Sequence, residues 1–347
     1  MTNKLTKLTA NEAKHVPVLL KEVIEYLNPQ SGEDFIDATF GEGGHAKEIL
    51  KLILPEGKLL GIDLDPVRSR ARNEIASPKD HGVATSNGID FEFGPKLDSG
   101  SANLKASEPL VLRSPPKADE VGLSWSGIEF RSGNFADIAN IAAESKFNSV
   151  DGVLFDFGFR SYHVDESGRG FSYTKDEPLD MRYSLESNLT ASDIVNTWTL
   201  NELENIFTEY GEERDSKKIA KAIVESRKEV KILTTNDLTM ILDSVVSGYK
   251  VKTYSRIFQA LRIAVNSELE NIKQGLEGAW NILKPNGRIV AISFHSLEDR
   301  IVKNFFNDKK QSGLGDVLTK KPVIASEYEL KENARSRSAK LRAIKKI

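Results

Sequence analysis

The sequence predicts an α/β fold: a doubly wound, Rossmann-like core carrying an inserted helical domain. Three observations predict it. Residues 34–63 read as strand, glycine-rich turn, helix, strand and terminal acidic residue, the opening of a parallel nucleotide-binding sheet. Short apolar strands return at 127–132 and 149–157, the second containing Asp156 near its end. Helical periodicity then dominates residues 176–252 before the strand pattern reappears at 288–294.

In chain order, residues 16–26 carry apolar side chains at helical spacing and stop at Asn28 and Pro29. A short buried strand over 34–39 runs into Gly41, Gly43 and Gly44, and a helix follows over 46–54. The strand 58–63 ends at Asp63. Between 76 and 126 neither period persists, and the stretch reads as a low-complexity, loosely folded surface insertion. Helices are expected at 190–198, 201–210, 215–228 and 235–246, and one long helix over 254–283. A turn at 284–287 then leads into the strand 288–294 and His295. The expected division is core at 1–75 and 127–175, insertion at 76–126, helical substrate-recognition domain at 176–252, and the rest of the core at 253–347.

Composition narrows the chemistry. The chain has 347 residues, net charge −3 and no cysteine. Disulfides, thiolate zinc sites and iron–sulfur clusters are excluded. So are reactions that need a cysteine nucleophile or a cysteine-bound cluster, such as C5 methylation of a pyrimidine or radical methyl transfer. A net charge so close to neutral gives no global field for nucleic acid, so any such contact must be local. The N-terminus lacks a signal-peptide core, and no apolar run is long enough for a bilayer, so a cytoplasmic location with no membrane partner is expected.

Four clusters carry candidate chemistry. Gly41, Gly43, Gly44 and His45 form a turn where backbone can approach a ligand, with Asp63 about 20 residues on for ribose hydroxyls. That pattern suits a dinucleotide as well as S-adenosylmethionine. Asp37, four residues before the first glycine, favours the donor's ammonium over a pyrophosphate. Asp156 ends its strand where a switch-point cleft is expected, although a turn-capping role fits the same residue. Arg169, Phe171 and Arg182 suit a loop that contacts phosphates and bases, or equally a linker pinned by Arg–Asp pairs. His295 precedes Glu298 and Asp299, whose placement suits a helix first turn better than a metal, so no metal is expected and His295 is left as a substrate contact. The late basic residues, from Arg335 to Lys346, interleave with Leu341 and Ile344, as in an edge strand.

With these residues in view, the chain resembles the MraW/RsmH family, the bacterial and organellar small-subunit rRNA (cytosine-N4)-methyltransferases. The resemblance rests on HVPVLL (15–20), GGH (43–45), RGFS (169–172), PLDMR (178–182), YGEER (210–214), FQALRIAVN (258–266), SFHSLEDR (293–300) and RSRS (335–338). It implies a methyltransferase core with S-adenosyl-L-methionine held by Gly43, Gly44, His45, Asp63, Phe135 and Asp156, and by the position of His163, where the family has glutamine. It implies small-subunit rRNA as partner, within an assembled or assembling 30S-type particle, and a cytidine near the decoding site as target. The chain departs from the family pattern at FGFRSYH (157–163), at KTYSR (252–256) and in the insertion.

Cytosine's amino nitrogen is a poor nucleophile, so its methylation needs in-line placement, an unstacked base and a hydrogen-bond acceptor. Asp156 is the expected catalytic acceptor. Rival readings are a methyltransferase of another substrate, a nicotinamide dehydrogenase and a non-catalytic RNA-binding assembly factor on the same fold.

Overall fold

A computed structural model of the chain describes residues 17–64, 127–158, 167–248 and 250–347. The predicted insertion and His163 lie outside the described residues. Among the described residues the sheet has seven strands: β1 Phe35–Asp37, β2 Leu59–Asp63, β3 Ile128–Ser132, β4 Val150–Asp156, β5 Leu283–Ser293, β6 Gly315–Val317 and β7 Lys340–Lys346. Their order is β3-β2-β1-β4-β5-β7-β6. The first five run parallel, while β7 pairs antiparallel with both β5 and β6. The chain winds outward from β1 in one direction and from β4 in the other, so the switch point lies between these two neighbours.

Both sheet faces are buried, which accounts for strands that read as continuous apolar runs rather than alternating ones. Helices α1 Leu20–Leu27 and α2 Gly44–Ile53 cover one face, where Phe35, Leu59, Leu154, Val290 and Ile292 pack. The other face is covered by α3 Ile138–Glu144, α9 Glu268–Ile282 and α10 Ser296–Gln311, against Ile36, Ile62, Phe155 and Ala291. A last short helix, α11 Glu327–Glu332, precedes β7. The helical unit is a separate apolar cluster of α4 Ala191–Thr197, α5 Leu200–Glu209, α6 Ser216–Glu229, α7 Thr235–Val245 and α8 Lys250–Asn266. Three of these helices begin with reciprocal capping boxes, Thr190 with Asp193, Thr199 with Glu202 and Thr234 with Asp237. Each such cap contributes about 1 kcal/mol.

Four expectations are corrected. The single helix over 254–283 is two helices, broken at Ser267 with φ +50°. The cause is long-range: the Asn266 amide donates to the carbonyls of Met181 and Arg262 and accepts from the Tyr183 amide, tying the break to the 181–183 backbone. The helical cluster accordingly extends past residue 252 to Val265. The first helix starts at Leu20 because Leu19 takes a left-handed conformation and donates its amide to Glu329. The basic C-terminal strand lies inside the sheet rather than at its edge. Its charges serve packing: Arg342 forks onto Asp299, and Lys346 donates to the carbonyls of Trp280 and Leu283.

Two glycines let large rings cross the sheet. A Cβ on Gly152 would lie 2.4 Å from the Phe35 ring on the adjacent strand, and one on Gly61 would lie 2.5 Å from Phe40. Gly152→Ala is therefore expected to destabilise the fold by about 1–3 kcal/mol, the usual cost of overpacking. Urea unfolding measures it; an unchanged midpoint would show that Phe35 moves aside freely.

Candidate functional site

The carboxyl ends of β1, β2 and β4 form the rim where the predicted residues meet. Between β1 and α2 the chain turns through Gly41 and Gly43, with φ +54° and +74°, a region that glycine enters without strain. The Gly43 amide donates to the Phe40 carbonyl, and the Gly43 carbonyl receives the bond from Lys47. The positive end of the α2 dipole thus faces the rim. Gly44 is needed for packing, because a Cβ there would lie 2.6 Å from Pro17.

Strand alternation places Asp37, Asp63 and Asp156 on the α1/α2 face, in register with Phe35, Leu59 and Leu154. The Asp63 carboxylate accepts from the Gly41 amide at 2.8 Å and so pins the glycine turn. The Asp156 amide donates to the Thr39 hydroxyl at 2.7 Å, locking the ends of β1 and β4 together. Asp37 is buried, and its carboxylate accepts from the Thr39 amide at 3.2 Å. Burial pushes the Asp37 carboxyl up to about 6; His45 and the Thr39 amide oppose this, and Asp156 and Asp63 add to it.

His45, at the start of α2, is also buried. Its Nε2 lies 2.9 Å from the Val18 carbonyl, which can only accept, so Nε2 carries the hydrogen. Its Nδ1 faces Asp156 at 3.9 Å. Phe135, just after β3, packs edge-on to Phe155 at 5.9 Å and tilted to Phe157 at 5.6 Å. A Cβ on Gly275 would lie 2.7 Å from the Phe135 ring, so a glycine on α9 backs the ring and lets it lie close.

A second polar cluster sits beyond the end of β5. Glu298, buried in the first turn of α10, accepts from the amides of Phe294 at 2.7 Å and His295 at 3.2 Å, as the helix-capping reading expects. Its other oxygen is 3.2 Å from His295 Nε2. Glu268 joins them, bringing ligand-type atoms of Glu268, His295 and Glu298 within 4.8 Å of one another. Arg262 forks onto Glu268 at 2.8 and 3.0 Å, and the Tyr183 hydroxyl donates to the same carboxylate at 3.0 Å. Sequence reasoning missed Glu268, Tyr183 and Thr39, and it took Arg262 as one of the late basic residues that hold phosphates, whereas Arg262 is committed to Glu268. Partners of the missed residues lie up to 117 positions away, and no local spacing announces them.

The 169–183 segment is pinned from within. Arg182 donates to both oxygens of Asp180 and to the Ser187 carbonyl, so the geometry favours its linker reading over phosphate binding. Arg169 donates to the carbonyls of Arg182 and Tyr183 and lies over the Phe171 ring at 5.8 Å. Phe171 stacks on Tyr183, centroids 5.5 Å apart and planes within 8°.

The family model described as the MraW methylase family matches residues 12–99 and 119–347. The chain is 42% identical over 333 residues to the ribosomal RNA small subunit methyltransferase H of Dictyoglomus thermophilum, covering 95% of this chain and 96% of that protein. Identity to the same-named protein of Syntrophotalea carbinolica is 38% over 360 residues, covering 98% and 100%. For that of Clostridium botulinum (strain Loch Maree / Type A3) it is 37% over 357 residues, covering 97% and 100%.

The chain belongs to the MraW methylase family. Measured against the family model, the unmatched segment is 100–118, narrower than the predicted 76–126 insertion. The methyl donor is S-adenosylmethionine, and the rim fits it. Three carboxylates lie about a glycine turn, and burial, reinforced by Asp156 and Asp63, pushes the Asp37 carboxyl up to about 6 against the opposing effect of His45 and the Thr39 amide. A ligand bearing an ammonium and a sulfonium supplies compensating positive charge.

Because a cation favours the ionised carboxylate, donor binding must lower the Asp37 pKa and expel a proton. At pH 5.5–6 the calorimetric enthalpy should therefore vary with buffer ionisation enthalpy, with up to one proton released per donor. The release should fade as pH rises well above 6 and be absent in Asp37→Asn. No buffer dependence in the native protein would contradict the placement.

Proposed function

We propose that this chain transfers a methyl group from S-adenosylmethionine to the N4 amino group of a cytidine in small-subunit rRNA near the decoding site. It acts in the cytoplasm on an assembling or assembled 30S-type subunit. The observation that carries this reading is the acid-lined glycine turn at the β1/β4 switch point, in a chain without cysteine whose relatives bear an rRNA methyltransferase name over nearly their whole length. A methyltransferase without a thiol must methylate an atom that is already nucleophilic, and an exocyclic amine is one.

When bound, the donor supplies an electrophilic methyl group. Gly43, Gly44 and His45 hold its amino-acid end together with Asp37, Asp63 takes the ribose hydroxyls, and Phe135 lies beside the adenine. Asp156, half-exposed at the rim and fixed through Thr39, accepts a hydrogen bond from the cytosine amino group. That bond draws nitrogen electron density out of the ring and towards the methyl carbon. The helical unit, α4 to α8 together with the pinned 169–183 segment, grips the RNA. There Phe171 and Arg169 meet the flipped nucleotide and its backbone, and His295 meets the base.

Mass analysis of nucleosides from small-subunit rRNA tests this reading. A strain lacking the gene should lose N4-methylcytidine, and the purified protein should restore it. An unchanged nucleoside profile would overturn the substrate assignment.

Two substitutions separate chemistry from scaffold. Asp156→Asn should lower kcat by about 100-fold or more, the lower range for a lost proton-transfer partner. Asp299→Asn, which breaks the fork to Arg342 at 2.6 and 3.1 Å, should leave kcat within a few-fold. Its cost should be stability, up to about 3 kcal/mol for a largely buried charge left alone. Equal activity of the two variants would contradict the role given to Asp156.

A further inference from the structure

We infer that Glu298 is a positioning residue that fixes the tautomer of His295, so that His295 Nδ1 accepts the proton leaving the cytosine amino group. The inference rests on the function proposed above and adds the destination of that proton.

Glu298 is 1% exposed, and one of its oxygens is held by two backbone amides, which leaves its carboxylate a single orientation. The second oxygen lies 3.2 Å from His295 Nε2. This is a close contact rather than an aligned hydrogen bond, but a carboxylate only accepts, so its negative charge beside Nε2 favours the ring hydrogen there and the lone pair on Nδ1. Among the described residues both ring nitrogens are buried without an aligned hydrogen bond; Nε2 has the Glu298 carboxylate beside it, and Nδ1 has no such neighbour. A buried acceptor left unmade costs about 1–3 kcal/mol, and it calls for a guest that carries an N–H or O–H.

Two features say which guest. His295 follows the end of β5, and Ile292 pairs with Asp156 at the end of β4, so both side chains serve the same rim. Strand alternation carries Asp156 to the α1/α2 face, while His295 meets Glu268 at the start of α9 on the opposite face. A cytosine amino group carries two hydrogens, and acceptors on two sides match them. In the reaction the N4 lone pair forms the N–CH₃ bond, and the C–S bond breaks with its electron pair going to sulfur. The N4 proton passes to His295 Nδ1 and from there to solvent. Because Nδ1 is covered, the base reaches it only by displacing its neighbours as it docks.

The charged and titratable groups around His295 are Glu298 from α10, Glu268 from α9 and Glu212 from the turn before α6, with Arg262 from α8 and Tyr183 from the linker joined to the cluster through Glu268. Arg262 engages both oxygens of Glu268, so a divalent ion among these carboxylates would sit against a guanidinium. A proton adds only a single charge beside that guanidinium, and the Glu268 and Glu298 carboxylates offset it.

Glu298→Gln tests the inference. Its amide oxygen can still accept from Phe294 and His295, so the helix cap survives. Its NH₂ now faces Nε2 and forces the ring hydrogen onto Nδ1. Full-length protein should keep its melting temperature within a few degrees and its donor affinity within a few-fold. The kcat for rRNA should fall on the order of 10²–10⁴-fold, as when a carboxylate–histidine pair is set in the wrong tautomer. The ¹⁵N spectrum of His295 should switch from Nε2-protonated in the native protein to Nδ1-protonated in the variant. Native-like kcat in Glu298→Gln, an unchanged tautomer, or a stoichiometric Mn²⁺ or Zn²⁺ bound by the native protein and lost in the variant would each overturn the inference. Failure of the native protein itself to methylate rRNA would instead strike at the proposed function.

Discussion

The structure depends on holding three carboxylates close together at the carboxyl end of a parallel sheet. Neighbouring acids repel one another, and those that are buried, Asp37 and Asp63, also lose hydration, so each needs a compensating contact. The Asp63 carboxylate accepts from the Gly41 amide, the Asp156 carboxylate stays half-exposed beside His45 while its backbone is braced by Thr39, and Asp37 yields by holding its proton to unusually high pH. The glycine turn, the α2 dipole and His45 are all arranged around that negative centre. Such a negative centre favours a cationic ligand over a dinucleotide with its own phosphate charges.

The helical unit is joined to this rim through polar contacts. Asn266 breaks what would otherwise be a continuous helix and uses its amide to hold the 181–183 backbone. One turn earlier on α8, Arg262 reaches the Glu268 carboxylate that also receives the Tyr183 hydroxyl. Burial acts against the charge on Arg262, yet Glu268 outweighs it and keeps the guanidinium firmly protonated. Burial likewise holds Tyr183 in its neutral, donating form. The linker, both helices and the end of β5 therefore share one network.

Much of this was legible in the sequence because it is local. The glycine turn, the strands that carry Asp37, Asp63 and Asp156, and the helices of the inserted unit each depend on residues a few positions apart. What escaped depends on distance. The break at Ser267 is caused by a side chain bonding to backbone 83–85 positions away, and nothing within 254–283 signals it. The interior place of β7 follows from its pairing with β5 and β6, whereas its basic composition suggested an edge. Arg182 could be read as phosphate-binding or as a pin, and only its geometry against Asp180 separates the two. Glu298 was read as a helix-cap residue, which it is; its second oxygen, turned towards His295, has no sequence signature.

A crystal structure of the full-length protein grown with S-adenosylmethionine tests the central claim most directly. Difference density should place the sulfonium between the Gly43–Gly44 turn and Asp156, with the ammonium by Asp37, the ribose on Asp63 and the adenine against Phe135. Donor density elsewhere, for instance at the opposite rim in the cavity lined by Asn28, Asp151, Pro285 and Arg288, would contradict it.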